Sequence, residues 1–264
     1  MRVARLFFLV SISFVLSVSI AAQQTATSSP QALQLLQRSL SALAGGQTLT
    51  DVTLSGTARR IAGSDDDTGT AVLKALTAGA SRMDLTLSSG QRSEIRNLSA
   101  ETPAGAWSGP DGISHAMAYH NLLTEPAWFS PAIAITRGLS SSGVVATYIG
   151  QGSRNSASVQ HVALYQPSFS SADVAPLLQH LTQIDLYLDS STLLPAAMTF
   201  AIHPDNNALL DISVEVRFTD YRAVNAAQVP FHIQQYINNS LYLDLQLQSA
   251  TFNTGLSAST FSVQ

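Results

Sequence analysis

The amino-acid sequence predicts a mainly β protein: an incomplete antiparallel barrel or strongly curved sheet, with two or three helices plugging its concave side. Three observations carry that prediction. Apolar and polar residues alternate with period two through five successive segments after residue 183. Short turn-rich connections separate those segments. Only a few stretches elsewhere carry the 3.6-residue period of a helix.

The later strands read as follows. Ile184, Leu186 and Leu188 alternate with Asp185, Tyr187 and Asp189. Met198, Phe200 and Ile202 follow, then Leu210, Ile212, Val214, Val216 and Phe218. Val229, Phe231 and Ile233 come next, and Leu241, Leu243, Leu245 and Leu247 close the series. Such strands give an antiparallel meander with one wet and one dry face. A twisted sheet of about ten strands tends to curl. Its dry face then lines a trough that side chains, helices or a guest must fill, because an open apolar patch would associate.

The first filler is a helix over 30–44. Ser29 suits its N-cap and Pro30 its first turn. Leu33, Leu36, Leu40 and Leu43 form one stripe, and Gly45-Gly46 supplies the left-handed C-terminal stop. Further helices are expected near 113–124, 130–138 and 173–181, the last capped by Asp173 with Pro176 in its first turn. Earlier strands are expected at 52–58, 82–87, 91–98, 143–150 and 157–166. Asp65-Asp66-Asp67-Thr68-Gly69 reads as a turn, and Ser89-Gly90 as a hairpin turn.

The chain opens Met1-Arg2-Val3-Ala4-Arg5, runs apolar from Leu6 to Ile20 and reaches Ala21-Ala22. That is the pattern of a secretory signal over 1–22. A membrane span needs about 20 apolar residues, and Ser11, Ser13, Ser17 and Ser19 interrupt this one. Residues 23–29 read as a flexible polar tether, and 30–264 as a single domain. With no cysteine, a lipid-modified N-terminal Cys is not expected. The mature protein is placed in the periplasm or outside the cell, not integral to a membrane.

Charge is sparse, 11% of residues, with a net value of -4 that falls to -6 without Arg2 and Arg5. Lys74 is the only lysine. Nucleic-acid binding needs clustered Lys and Arg, and binding to an anionic bilayer needs a basic patch; neither exists here. Disulfides, thiolate metal sites and Cys nucleophiles are absent. His115 and His120 are five apart, off the i, i+4 spacing of a helical zinc pair. The six histidines read as surface or half-buried residues rather than ligands. Gly138-Leu139-Ser140-Ser141-Ser142-Gly143 is not a nucleophile elbow, and Asp65-Asp66-Asp67 lacks calcium-loop spacing. No catalytic residue, metal site or cofactor is read from the sequence.

A series of short motifs then falls in order: Leu186-Tyr187-Leu188-Asp189, Leu194-Pro195, Phe218-Thr219-Asp220-Tyr221-Arg222, Val229-Pro230-Phe231, Asn253-Thr254-Gly255-Leu256 and Phe261. This order resembles the outer-membrane lipoprotein carrier and receptor superfamily, the LolA/LolB-like fold. The resemblance covers about 30–264, with its distinctive residues after 183. It implies an incomplete barrel, helices on the open side and a hydrophobic cavity that receives acyl chains. Without cysteine the chain fits a soluble carrier rather than an acylated receptor. Carriers of this family keep an arginine facing the cavity. Arg60, continuing the apolar face of strand 52–58, is the candidate, against a strand-end arginine reaching solvent.

Two functions are therefore expected as alternatives. One is an exported, non-catalytic protein holding a lipophilic small molecule or the acyl chain of a lipoprotein. The other is a structural or protein-interaction β domain with a packed core. Burying an acyl chain of ~16 carbons returns roughly 13 kcal/mol gross, against about 4–15 kcal/mol for association, so area alone decides nothing. The inward series Leu186, Met198, Phe200, Val214, Val216, Phe231, Leu243 and Leu245 is the candidate ligand surface. Trp107, Trp128 and Phe129 either line its mouth or plug, or are ordinary core.

Overall fold

The computed structural model describes residues 27–141, 143–166 and 174–263. Helix α1 (Pro30–Ala44) precedes strands β1 (Asp51–Ala62), β2 (Asp65–Leu76), β3 (Ala80–Leu87), β4 (Gly90–Asn97), β5 (Ala104–Ser108) and β6 (Ser114–Ala116). Two helices follow, α2 (Tyr119–Leu122) and α3 (Pro131–Ser140). Then come β7 (Val145–Arg154), β8 (Ala157–Tyr165), α4 (Ala175–Thr182), β9 (Ile184–Asp189), β10 (Pro195–Ile202), β11 (Ile212–Val224), β12 (Ala227–Ile237) and β13 (Ser240–Phe252). A 3-10 turn at Ala258–Phe261 ends the described chain.

All thirteen strands form one antiparallel sheet, ordered β6-β5-β4-β3-β2-β1-β13-β12-β11-β10-β9-β8-β7. The sheet is strongly curved and does not close: β6 and β7 are its two edges. Every neighbour pair is consecutive in sequence except β1 with β13, which meet in the middle. The chain that joins the two edges carries α2 and α3. The helical segment therefore spans the seam between the free edges, as the sequence expectation of a plugged open sheet requires.

Local chemistry sets the first helix. Ser29 Oγ accepts from Ala32 N–H at 3.2 Å, and Gly45 takes φ 58° at the C-terminus. A Cβ on Gly45 would also lie 2.0 Å from the Ala226 carbonyl oxygen, so only glycine fits here. Leu36 and Leu43 are wholly buried and Leu35 nearly so, each fully buried leucine worth roughly 2 kcal/mol. Helix α1 lies against α3, β12 and β7. The expected tether falls mostly outside the described residues, as do the signal segment and Asp173. At the tether's end Ser29 N–H donates to Ala146 O at 2.8 Å, and Ser28 Oγ accepts from Ala146 N–H at 3.0 Å, so this end is pinned to β7.

Two sequence expectations are corrected. Asp65–Gly69 is the start of β2, not a turn; the turn is Gly63-Ser64, with Ala62 opposite Asp65 and Gly63 at φ 63°. The aspartates have strand partners instead. Asp66 makes a two-bond pair with Arg59 at 2.7 and 2.6 Å, and Asp67 accepts from Ser88 and Ser89 Oγ at 3.0 and 2.8 Å. The expected helix over 113–124 is a short edge strand, β6, followed by the single turn α2. Pairing of Trp107 with His115 outcompetes a weak helical pattern there.

The motif residues after 183 owe their order to contacts with one another. Asp189 Oδ1 accepts from Ser191 N–H and Oγ–H and from Thr192 N–H and Oγ1–H at 2.6–3.0 Å, shaping the turn in which Leu193 sits at φ 59°. Tyr221 Oη donates to Pro195 O at 2.7 Å, tying the Asp-Tyr strand to the Leu-Pro turn. Asp51 accepts from Thr254 and Gly255 N–H at 2.9 and 3.0 Å, and Phe261 is wholly buried.

The Ser191 hydroxyl, then the Thr192 amide, hold the Asp189 carboxyl down to about 2. A carboxylate with a depressed native pKa stabilises the fold above its unfolded pKa, about 3.9, and loses that contribution as pH falls through 2. Asp189→Ala should therefore cost about 1–2 kcal/mol at pH 7 and much less at pH 2. Urea unfolding at both pH values checks this; an equal cost at both would refute the charge argument.

Candidate functional site: the concave face and its seam

Directly opposed residues of an antiparallel pair share a face. Met198 opposes Leu186 on one side and Val216 on the other. Phe200 opposes Val214, Ile233 opposes Leu245, and Leu245 opposes Ala58. The dry face predicted from alternation is thus continuous across β9 to β13 and into β1. Leu186, Met198, Phe200, Val214, Val216, Phe231, Leu243 and Leu245 are all buried in one cluster. Trp128 and Phe129 belong to the same cluster, with rings edge-on at 5.5 Å and 85°. Leu35 and Leu36 of α1 and Ile133 and Ile135 of α3 complete it.

Trp107 stands apart. It is 43% exposed and stacks on His115 with centroids 4.3 Å apart. It lies at the rim of the sheet rather than in the core.

The dry face turns polar toward β4 and β5, which alternation along this charged strand did not reveal. Met83 opposes Glu94, Leu85 opposes Arg92 and Ser81 opposes Arg96; Glu94 in turn opposes Trp107. Arg96 is buried and holds the seam segment to the sheet. Its Nε donates to Glu94 Oε1 at 2.9 Å, and its Nη1 donates to Asn121 O at 3.0 Å and to Thr124 Oγ1. Arg60 opposes Leu243 and Asp67. Its Nε donates to Tyr242 Oη at 3.2 Å and its guanidinium lies 5.1 Å from that ring. It lines a cleft of about 200 Å³ with Met83, Leu85, Arg92, Trp107 and Leu243.

A second cleft, of mixed lining, opens at the seam. A cleft of about 270 Å³ lies between α3, the ends of β8 and β9 and the α2 region. Leu98, Leu123, Ala134, Gly138, Val144, Leu164 and Ile184 line it, together with the polar groups of Tyr119, Glu125, Arg137, Tyr165, Gln166 and Thr182. Arg137 Nη2 donates to Glu125 Oε2 at 2.8 Å, and the glutamate side chain is only 3% exposed. A Cβ on Gly138 would touch Leu164 at 3.3 Å, so the glycine lets α3 approach β8 closely. Ligand pockets commonly run about 300–1,000 Å³, so this cleft sits just below that range. Of the eleven residues predicted for the ligand surface, ten are buried in the cluster that α1 and α3 cover, and none lines the seam cleft. The seam residues were missed because their strand partners are set by the sheet order, which no local pattern displays.

No family model and no curated protein matches the sequence. Solved structures do share the architecture. A domain named for outer membrane lipoprotein sorting, from Vibrio parahaemolyticus, aligns with a TM-score of 0.54 at 10% identity, over 88% of this chain and 96% of that one. A LolA superfamily protein from Nitrosomonas europaea aligns at 0.51 and 11% identity, over 88% and 97%. A DUF1329 family protein from Desulfovibrio piger aligns at 0.54 and 7% identity, over 88% and 96%. The chain is thus a helix-plugged open β-sheet protein. Its fold is the LolA-like fold that the motifs after residue 183 resemble. At such identities the likeness defines the fold and nothing of the chemistry. No helix among the described residues is long and apolar enough to cross a membrane.

Proposed function

We propose that this protein is an exported, non-catalytic carrier or sensor of an acylated or otherwise lipophilic molecule, working outside the inner membrane. The observation that carries the reading is the open seam. The sheet's dry face runs unbroken from β9 to β13 and into β1, its two edges stay apart, and one helical segment covers the gap beside a cleft lined in part by apolar side chains. An acyl chain entering there would slide between α3 and β8 and displace side chains of the cover, not strands. The Arg137–Glu125 pair belongs to the cleft's lining and would help hold the cover shut without a guest. The proteins that share the fold include one named for lipoprotein sorting, which supports the same class of guest.

The second reading, a packed interaction domain, is favoured by the burial of the central cluster. Native mass spectrometry of protein purified without detergent, with saturable uptake of a fluorescent fatty acid, separates the two. Under the carrier reading, Gly138→Leu fills the seam cleft and lowers fatty-acid affinity at least about tenfold, about 1.4 kcal/mol. It should also cost roughly 1–3 kcal/mol of stability, because any Cβ at 138 presses on Leu164 at 3.3 Å, so affinities are compared where both proteins are fully folded. No co-purifying lipid and no saturable uptake by the wild type would sink the carrier reading.

A further inference from the structure

A separate polar cluster lies at the strand ends where α4 meets the connection from β10 to β11. His180 comes from α4, His203 follows β10 and Asp211 precedes β11. Their ligand atoms all fall within 4.8 Å of one another. His180 Nε2 and His203 Nε2 approach the same oxygen, Asp211 Oδ1, at 3.0 and 3.1 Å. We propose that His180, His203 and Asp211 form a binding site for a divalent transition metal of the zinc type.

The cluster already holds one hydrogen bond, between His203 Nε2 and Asp211 Oδ1 at 3.1 Å, and its spacings also suit a metal. Zinc ligands at about 2.0–2.1 Å in a tetrahedron lie roughly 3.3 Å from each other, close to both measured nitrogen–oxygen spacings. His180 Nε2 is buried and near the carboxylate, yet it is out of line for a hydrogen bond and has no other partner. On metal binding the His203–Asp211 hydrogen bond would give way to coordination, with His180 Nε2, already beside the same oxygen, as the further ligand.

The site is also held in place before any metal arrives. Asn121 clamps the His203 backbone from both sides: its Oδ1 accepts from His203 N–H at 3.0 Å and its Nδ2 donates to His203 O at 2.7 Å. The His203 side chain is fully buried, whereas Asp211 is 54% exposed. The metal would thus meet a rigid inner imidazole and a carboxylate at the surface. An open cleft beside the cluster, reaching Gln183, Thr199 and Ser213, leaves room for a water as fourth ligand. Two imidazoles with one carboxylate suit zinc, cobalt or nickel rather than calcium or magnesium, which take oxygen ligands. The sequence hides the site because 180, 203 and 211 follow no ligand spacing; the fold brings them together. This inference does not depend on the lipid reading.

The test uses full-length protein stripped with a chelator. Calorimetric titration with zinc chloride should show one site per chain, and cobalt substitution should give the visible absorption of a tetrahedral centre. His180→Ala and Asp211→Asn, both at partly or fully exposed positions and checked for folding by circular dichroism, should each weaken zinc at least about tenfold. His115→Ala, whose ring stacks on Trp107 instead, should leave zinc affinity unchanged. Absence of saturable zinc binding by the wild type would overturn the proposal. So would affinity unmoved by His180→Ala and Asp211→Asn, or lowered equally by His115→Ala, since binding would then be adventitious.

Discussion

Replacing Arg96 with alanine should destabilise the protein by about 3 kcal/mol, the lower end for breaking a buried ion pair. The lower end applies because Glu94, its partner, keeps 28% of its side chain in solvent, whereas Arg96 keeps 8%. The loss goes beyond the pair. Arg96 also satisfies the Asn121 carbonyl and the Thr124 hydroxyl, so its removal frees the seam segment from β4. Amide hydrogen exchange should accordingly quicken over 117–124 before it does elsewhere. Arg96→Lys should recover only part of the stability, because an ammonium lacks the planar fork that serves partners on two sides. Urea unfolding measures the cost; a loss under 1 kcal/mol would mean the segment is anchored by other contacts.

The largest single effect is expected at Phe129. Its ring is 1% exposed, braced edge-on by Trp128, and it leads into α3 over the dry face. Phe129→Ala removes that wedge and should cost about 3–5 kcal/mol, lowering the melting temperature by roughly 10 °C. The two functional readings diverge here. If the trough receives a guest, the vacated space should raise uptake of a fluorescent fatty acid even as the fold weakens. If the trough is merely core, the variant should lose stability and take up nothing.

The meander after 183 is legible because its strands place apolar side chains mainly on one face, most cleanly in β9 and β13, so alternation survives in the residues. Helix α1 was legible for a similar reason: a serine cap, a leucine stripe and a glycine stop act locally. Asp65–Gly69 misled because acidic residues favour turns in isolation, while here Arg59, Ser88 and Ser89 across the sheet stabilise them as strand. Strand β4 alternates charge with charge, so Arg92, Glu94 and Arg96 could not be assigned to the inner face before their partners were known. Arg60 opposes Leu243 of β13. What it meets there, Tyr242, depends on the pairing of β1 with β13. The seam cleft and the histidine cluster were invisible for that same reason: both are products of long-range order.

That central pairing also bears on how the chain is made. Strand β1 waits for β13, about two hundred residues later, so the two halves of the sheet cannot join until β13 has been made. Loop-closure entropy over such a distance makes assembly slow, and the unfinished intermediate stays extended and pliable for longer. Truncation before Ser240 should leave a species that never acquires cooperative unfolding, whereas loss of only the final turn should not.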